Sequence, residues 1–216
     1  MNNQSLKSGL AEFIGTFTLV FVGGFAVASG QGVVAAALAH GLILVGIIFV
    51  YGHISGAHVN PAVTLGLLVG RKIDIAKAVT YWIAQFAGGI IAAILLNVIV
   101  PGAAKGGQTI GSLTTSAVWS AALLEAVMTF LLVSAVYQAA VYEKVGNLAA
   151  LAIGLTLGGC ILAGGTYTGA SLNPARTLGP ALVAGDLSYI VPYLVGIFAG
   201  GIVAGLLHAN FFKSDK

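Results

Sequence analysis

The chain has 216 residues, of which 58% are hydrophobic and only 7% charged, with a mean hydropathy of +1.02. Such a surface is poor for water and good for lipid, which excludes an ordinary soluble domain. The formal net charge of +3 comes from nine basic residues scattered singly or in twos, so a nucleic-acid partner, which needs a basic stripe, is excluded as well.

Glycine is in excess, at 31 residues. In lipid, small residues let helix backbones approach closely, so close-packed helices are expected. A single cysteine, Cys160, rules out an intramolecular disulfide and a cysteine metal cluster. A bilayer core about 30 Å thick takes about 20 residues of helix to cross. The amino terminus, MNNQSLKSGLAEF, runs into an apolar span near 9–29 that contains Glu12. It lacks the short apolar core and cleavage site of a signal peptide, so insertion without cleavage is expected. A second span, near 33–52, carries His40. Next comes an apolar piece near 60–69, about half the length needed to cross, which opens on Asn60-Pro61. Spans follow near 77–100, 117–141 (with Glu125) and 147–165; a second short piece near 173–183 opens on Asn173-Pro174, and a last span runs near 188–211.

Asparagine caps a helix well, and proline at the first helical position gives up only an N–H that would have been an orphan. Both short pieces are therefore predicted to start as helices inside the membrane, which is tolerable only where the backbone is buried in protein or lines a watery cavity. The expected fold is an all-α membrane protein of six transmembrane helices plus two re-entrant half-helices around a pore.

The two halves match at an offset of 113 residues (173 minus 60), which pairs Glu12 with Glu125, Thr16 with Thr129, Gly41 with Gly154, Gly56 with Gly169, Asn60-Pro61-Ala62 with Asn173-Pro174-Ala175, and Gly66 with Gly179. One channel domain, 1–216, with repeat halves of approximately 1–105 and 114–216 is predicted. Three spans and one half-helix per repeat invert the second half, so the half-helices meet amino end to amino end near the midplane. Each amino terminus carries roughly half a positive charge, which repels cations and excess protons. A water oxygen accepting from the Asn60 and Asn173 amides has its hydrogens turned outward, which discourages proton hopping. With the amino terminus cytoplasmic, Lys7, Arg71, Lys72, Lys77, Lys144, Lys213 and Lys216 lie inside and only Lys105 outside, so both termini are read as cytoplasmic. A prokaryotic cell membrane is the expected location.

The segments GHISGAHVNPAVT at 52–64 and GTYTGASLNPARTLGPA at 165–181 closely resemble the two signature loops of aquaporins. The resemblance implies a homotetramer in membrane lipid that passes water. It places an outer selectivity filter at His40, Ile161, Ala170 and Arg176, and a central constriction at Asn60, Pro61, Ala62, Asn173, Pro174 and Ala175. It also implies pore-lining carbonyls at Gly56, Ala57, His58, Gly169, Ala170 and Ser171, and buried structural carboxylates at Glu12 and Glu125. Orthodox water channels carry Phe where His40 stands and His where Ile161 stands. The quartet here looks like that of the plant tonoplast branch and its ammonia-conducting mammalian relative, a likeness that ILAGG at 161–165 strengthens, although the 101–116 loop holds no histidine. Ammonia, or another small neutral solute, is therefore expected beside water.

Three other readings compete. A glycerol facilitator usually carries an Asp after the second motif's Arg, where this chain has Thr177. An ion-coupled carrier would use Glu12 and Glu125 as coupling sites, but they are repeat mates near span ends. His53 and His58 suggest a metal pair, yet no carboxylate or thiol accompanies them, so neither metal nor cofactor is expected. Nothing resembles a nucleophile with its base, or a phosphate cradle, so no enzyme is expected.

Overall fold

The computed structural model describes residues 3–213. Met1 and Asn2 of the amino-terminal reading, and Lys216 of the basic count, lie outside the described residues. The helices are α1 (Asn3–Ala28), α2 (Val33–Ser55), α3 (Pro61–Val69), α4 (Ile75–Ile99), α5 (Ala103–Gly106), α6 (Ser112–Ser116), α7 (Val118–Val136), α8 (Ala149–Thr168), α9 (Pro174–Ala184) and α10 (Ile190–Asn210). A π-helical turn, Tyr137–Val141, continues α7, and a 3₁₀ turn, Gly146–Leu148, leads into α8. Among the described residues six helices are long and apolar enough to cross a membrane. The half-helices α3 and α9 have 9 and 11 residues.

The ends differ from the sequence reading where polarity and helicity part company. Asn3 to Ser8 contains no helix breaker, so α1 starts six residues before its apolar stretch does. Likewise α8 runs through Gly164-Gly165 to Thr168, because packing rather than propensity holds it there. The loop expected between 101 and 116 folds into two short helices, α5 and α6.

Packing follows the inverted repeat: α1 lies on α4 and α7 on α10, while α2 lies on α8 across the halves. Two further pairs also cross between halves, α4 with α9 and α10 with α3. Glycine permits both: a Cβ on Gly89 would stand 2.7 Å from the Ala175 carbonyl oxygen, and one on Gly201 would stand 2.7 Å from that of Ala62. Backbone thus meets backbone directly behind each Asn-Pro-Ala turn. Leu42, Ile83, Val98 and Val191 are largely exposed on the outer faces, as lipid-facing side chains should be. One end of the bundle collects the basic loops: the Lys72 ammonium lies 5.0 Å from the Tyr142 ring centroid, and the Tyr142 hydroxyl donates to the His208 carbonyl at 2.7 Å.

Candidate functional site

Two helix starts meet at the centre of the bundle. Asn60 caps α3, its Oδ1 accepting from the Ala62 amide at 2.8 Å, and Pro61 takes the first helical position. Asn173 caps α9 in the same way, accepting from Ala175 at 3.0 Å and Arg176 at 3.3 Å, with Pro174 next. The other end of each amide reaches across the molecule. Asn60 Nδ2 donates to the Leu172 carbonyl at 2.8 Å, and Asn173 Nδ2 donates to the Val59 carbonyl at 2.9 Å. Each loop therefore latches the other's asparagine, and the two amino termini face one another.

The loops that make these turns are strained. Ala57, Val59, Ala170 and Leu172 have φ of 46°, 42°, 41° and 55°, a region β-carbons resist. The buried carboxylates hold them. Glu12 accepts from the Ser55 hydroxyl at 2.7 Å, the His58 amide at 2.9 Å, the Val59 amide at 2.7 Å and Gln85 Nε2 at 2.8 Å. Glu125 repeats the pattern with the Thr168 hydroxyl at 2.7 Å and the amides of Ser171 at 2.9 Å and Leu172 at 2.8 Å. Such ionic acceptors make strong bonds to backbone N–H groups, which is why the left-handed residues persist. His58 Nδ1 pairs with Thr64 at 3.1 Å, and its repeat mate Ser171 pairs with Thr177.

Along this centre runs a cavity of about 40 Å³. At 10–15 Å³ of centre space per water it has room for roughly three molecules. Its lining combines the loop residues Gly56, Ala57, His58, Asn60, Ser171 and Asn173, the side chains of His40 and Arg176, and the apolar side chains of Leu19, Leu44, Ile48, Val63, Leu132, Ile153 and Leu157. A second, more open cavity lies beyond and is lined by Ile161, Gly169, Ala36 and Gln108 among others. Ala170 is buried with Ile161 and Cys160 in one apolar cluster and appears in the lining of neither cavity.

Arg176, 2% exposed, is held at two points. Its Nε donates to His40 Nε2 at 3.2 Å, and its Nη1 donates to the Gly107 carbonyl at 2.7 Å. The neutral His40 ring fits this pattern: Nδ1–H donates to the Ala36 carbonyl at 2.8 Å, which leaves Nε2 as the acceptor. Of the other histidines singled out, His53 is exposed on α2 while His58 is buried on the cavity wall, so the two sit in different surroundings.

Several supporting residues carry no sequence signal of their own. Gly107, in the outer loop, was invisible because any residue supplies a carbonyl. Ser55 and Thr168 could have been found, being 113 apart and each 43 residues from its glutamate. Gln85 has no such mate, since the corresponding stretch of α10 reads Ile197-Phe198.

A family model described as Major intrinsic protein matches residues 1–208. The chain belongs to that family. Among aquaporins it is 43% identical over 230 residues to aquaporin TIP1-2 of Zea mays, covering 99% of this chain and 89% of that one. It is 43% identical over 223 residues to aquaporin TIP2-3 of Arabidopsis thaliana, covering 97% and 88%. Both relatives are plant proteins, consistent with the tonoplast-type likeness, and they give no support to the prokaryotic cell membrane expected from sequence. The fold matches the X-ray structure of the aquaglyceroporin from Plasmodium falciparum with a TM-score of 0.84 at 24% identity, covering 97% of each chain. The chain is thus a multi-pass membrane protein with the aquaporin fold.

Proposed function

We propose that this aquaporin is a passive channel for water, that it also passes ammonia, and that it excludes protons and ions. The pairing of Asn60 and Asn173 at one narrow cavity carries the reading. Each Nδ2 has two hydrogens; the opposite loop's carbonyl takes one, and the other is free for a permeating molecule. A water oxygen that accepts from both has its own hydrogens directed away along the file, which breaks the chain a proton would hop along. The facing helix amino termini repel cations at the same point.

On this reading the carbonyls of Gly56, Ala57 and His58 on one side, and of Gly169, Ala170 and Ser171 on the other, form the polar rail. The support is that the glutamates and loop hydroxyls take the neighbouring amides. His40, Ile161, Ala170 and Arg176 act as the filter. Thr177, where glycerol facilitators usually carry an Asp, supports water over a three-carbon triol such as glycerol. Assembly as a homotetramer, and termini in the cytoplasm, belong to the same proposal, the latter because the basic loops share one end. Stopped-flow light scattering on proteoliposomes tests it: osmotic shrinkage and ammonia-driven interior alkalinisation should both exceed those of protein-free vesicles. A proton current through purified protein in a planar bilayer would overturn it.

A further inference from the structure

We infer that Gly23 on α1 is a specificity-determining residue, because it supplies the room that seats the His40 ring against the wall of the pore. The inference rests on the reading of His40 and Arg176 as filter residues. The seat is tight: a Cβ at Gly23 would come within 2.5 Å of Cδ2 and Cε1 of His40, and closer still to Nε2. Nε2 is the atom that accepts from Arg176, so the contact falls on the filter's own hydrogen bond. The ring has little freedom to yield, since Nδ1 is tied to the Ala36 carbonyl one turn back on α2. Real side chains do not tolerate such overlap, and the ring must leave its rotamer.

The repeat provides an independent comparison. The offset of 113 pairs Gly23 with Val136 and His40 with Ile153. In that second copy no imidazole is present, and the position facing it is filled: Val136 packs against the cluster that contains Ile153, and both line the cavity. Where the ring exists there is a glycine; where it does not, a valine fills the room. Gly23 therefore works through another residue. It lets His40 lie back, keeps Nε2 on Arg176, and so sets how far both project into the file. Displacing the ring would also leave the Arg176 Nε donor without its acceptor, free to turn across the opening.

The test compares Gly23→Ala, His40→Ala and the double variant in proteoliposomes, with water and ammonia permeability measured per protein and thermal stability alongside. Gly23→Ala should fold and should lose water permeability severalfold, because the displaced ring can move only toward the cavity that His40 lines. His40→Ala should change the ammonia-to-water ratio, and adding Gly23→Ala to it should change nothing further. If Gly23→Ala fails to fold while the double variant folds, the clash with the ring is equally demonstrated. The inference is overturned if Gly23→Ala conducts as the parent does, or if its effect persists in full without the ring, or if the double variant also fails to fold. If His40→Ala alone leaves the ratio unchanged, the filter reading itself is what fails.

Discussion

Gly200→Ala tests the claim that direct backbone contact, rather than side-chain interlock, holds the repeat helices together. A Cβ at Gly200 of α10 would overlap the Ala126 carbonyl oxygen of α7 and lie 2.9 Å from its carbon and 3.0 Å from the Phe130 nitrogen, where ordinary contact begins at 3.4 Å. All three are main-chain atoms in a helix, so no side chain can swing aside. The helices must separate by on the order of 1 Å, an overpacking that costs about 1–3 kcal/mol. Replacing a helical glycine returns about 0.5–1 kcal/mol. The net loss of about 0–2.5 kcal/mol should lower the unfolding midpoint by up to roughly 10 °C for a chain of this size. The control is Gly46→Ala, where nothing stands within 4 Å of the new methyl and only the helix gain remains. Thermal unfolding of the purified proteins in one detergent reads both. The reasoning is refuted if Gly200→Ala is as stable as Gly46→Ala. Gly88→Ala provides a second copy of the experiment, since its Cβ would meet Phe13 and Phe17 of α1, the repeat mates of Ala126 and Phe130.

Other outcomes follow from the site. Replacing Glu12 or Glu125 by Gln points an NH₂ at one loop amide whichever way the side chain turns, so a charge-assisted bond worth about 1.5–3 kcal/mol is lost. Both variants should show lower stability and lower water permeability at equal protein, and parental values for either would remove the carboxylate from its proposed role. The Cys160 thiol is buried and directed at the Met128 carbonyl on α7, at 3.9 Å. Mercurials should therefore leave the parent conducting in a shrinkage assay, and block that Cys160→Ser abolishes would place the sulfur in the lumen instead. Ala170 lines neither cavity but adjoins Gly169, which lines the second one, so Ala170→Cys should introduce a thiol-reversible block if the proposed filter holds; conduction with mercury bound would remove Ala170 from it.

The frame was legible because each part carried a strong physical signal. Six apolar stretches of spanning length and two Asn-Pro starts at half that length leave few alternatives in lipid. The offset of 113 pairs Glu12 with Glu125, the resemblance implied a buried structural role for both, and in the structure they take equivalent loop amides. What escaped were contacts made by backbone or by absence. The Gly107 carbonyl that holds Arg176 is a property of loop path, not residue type. The π-helical turn at Tyr137–Val141 continues an apolar run whose periodicity does not announce a change of helix. Gly23 looked like one of many packing glycines, because only the position of the His40 ring distinguishes it.

The two halves of the inverted repeat have diverged along the pore. The residues proposed as the filter, His40, Ile161, Ala170 and Arg176, have as mates Ile153, Ile48, Ala57 and Val63, all on the cavity wall and all apolar. A pore assembled from two identical copies would sort solutes at both mouths or at neither. With the copies joined in one chain, the position equivalent to Arg176 can hold the apolar Val63. Passive permeability is the same in either direction, but obstruction is not. An oversized neutral molecule arriving from the arginine side is refused before it enters the file. One arriving from the far side can advance past the apolar mates as far as the paired Asn60 and Asn173, stall there, and plug the channel from one side of the membrane only.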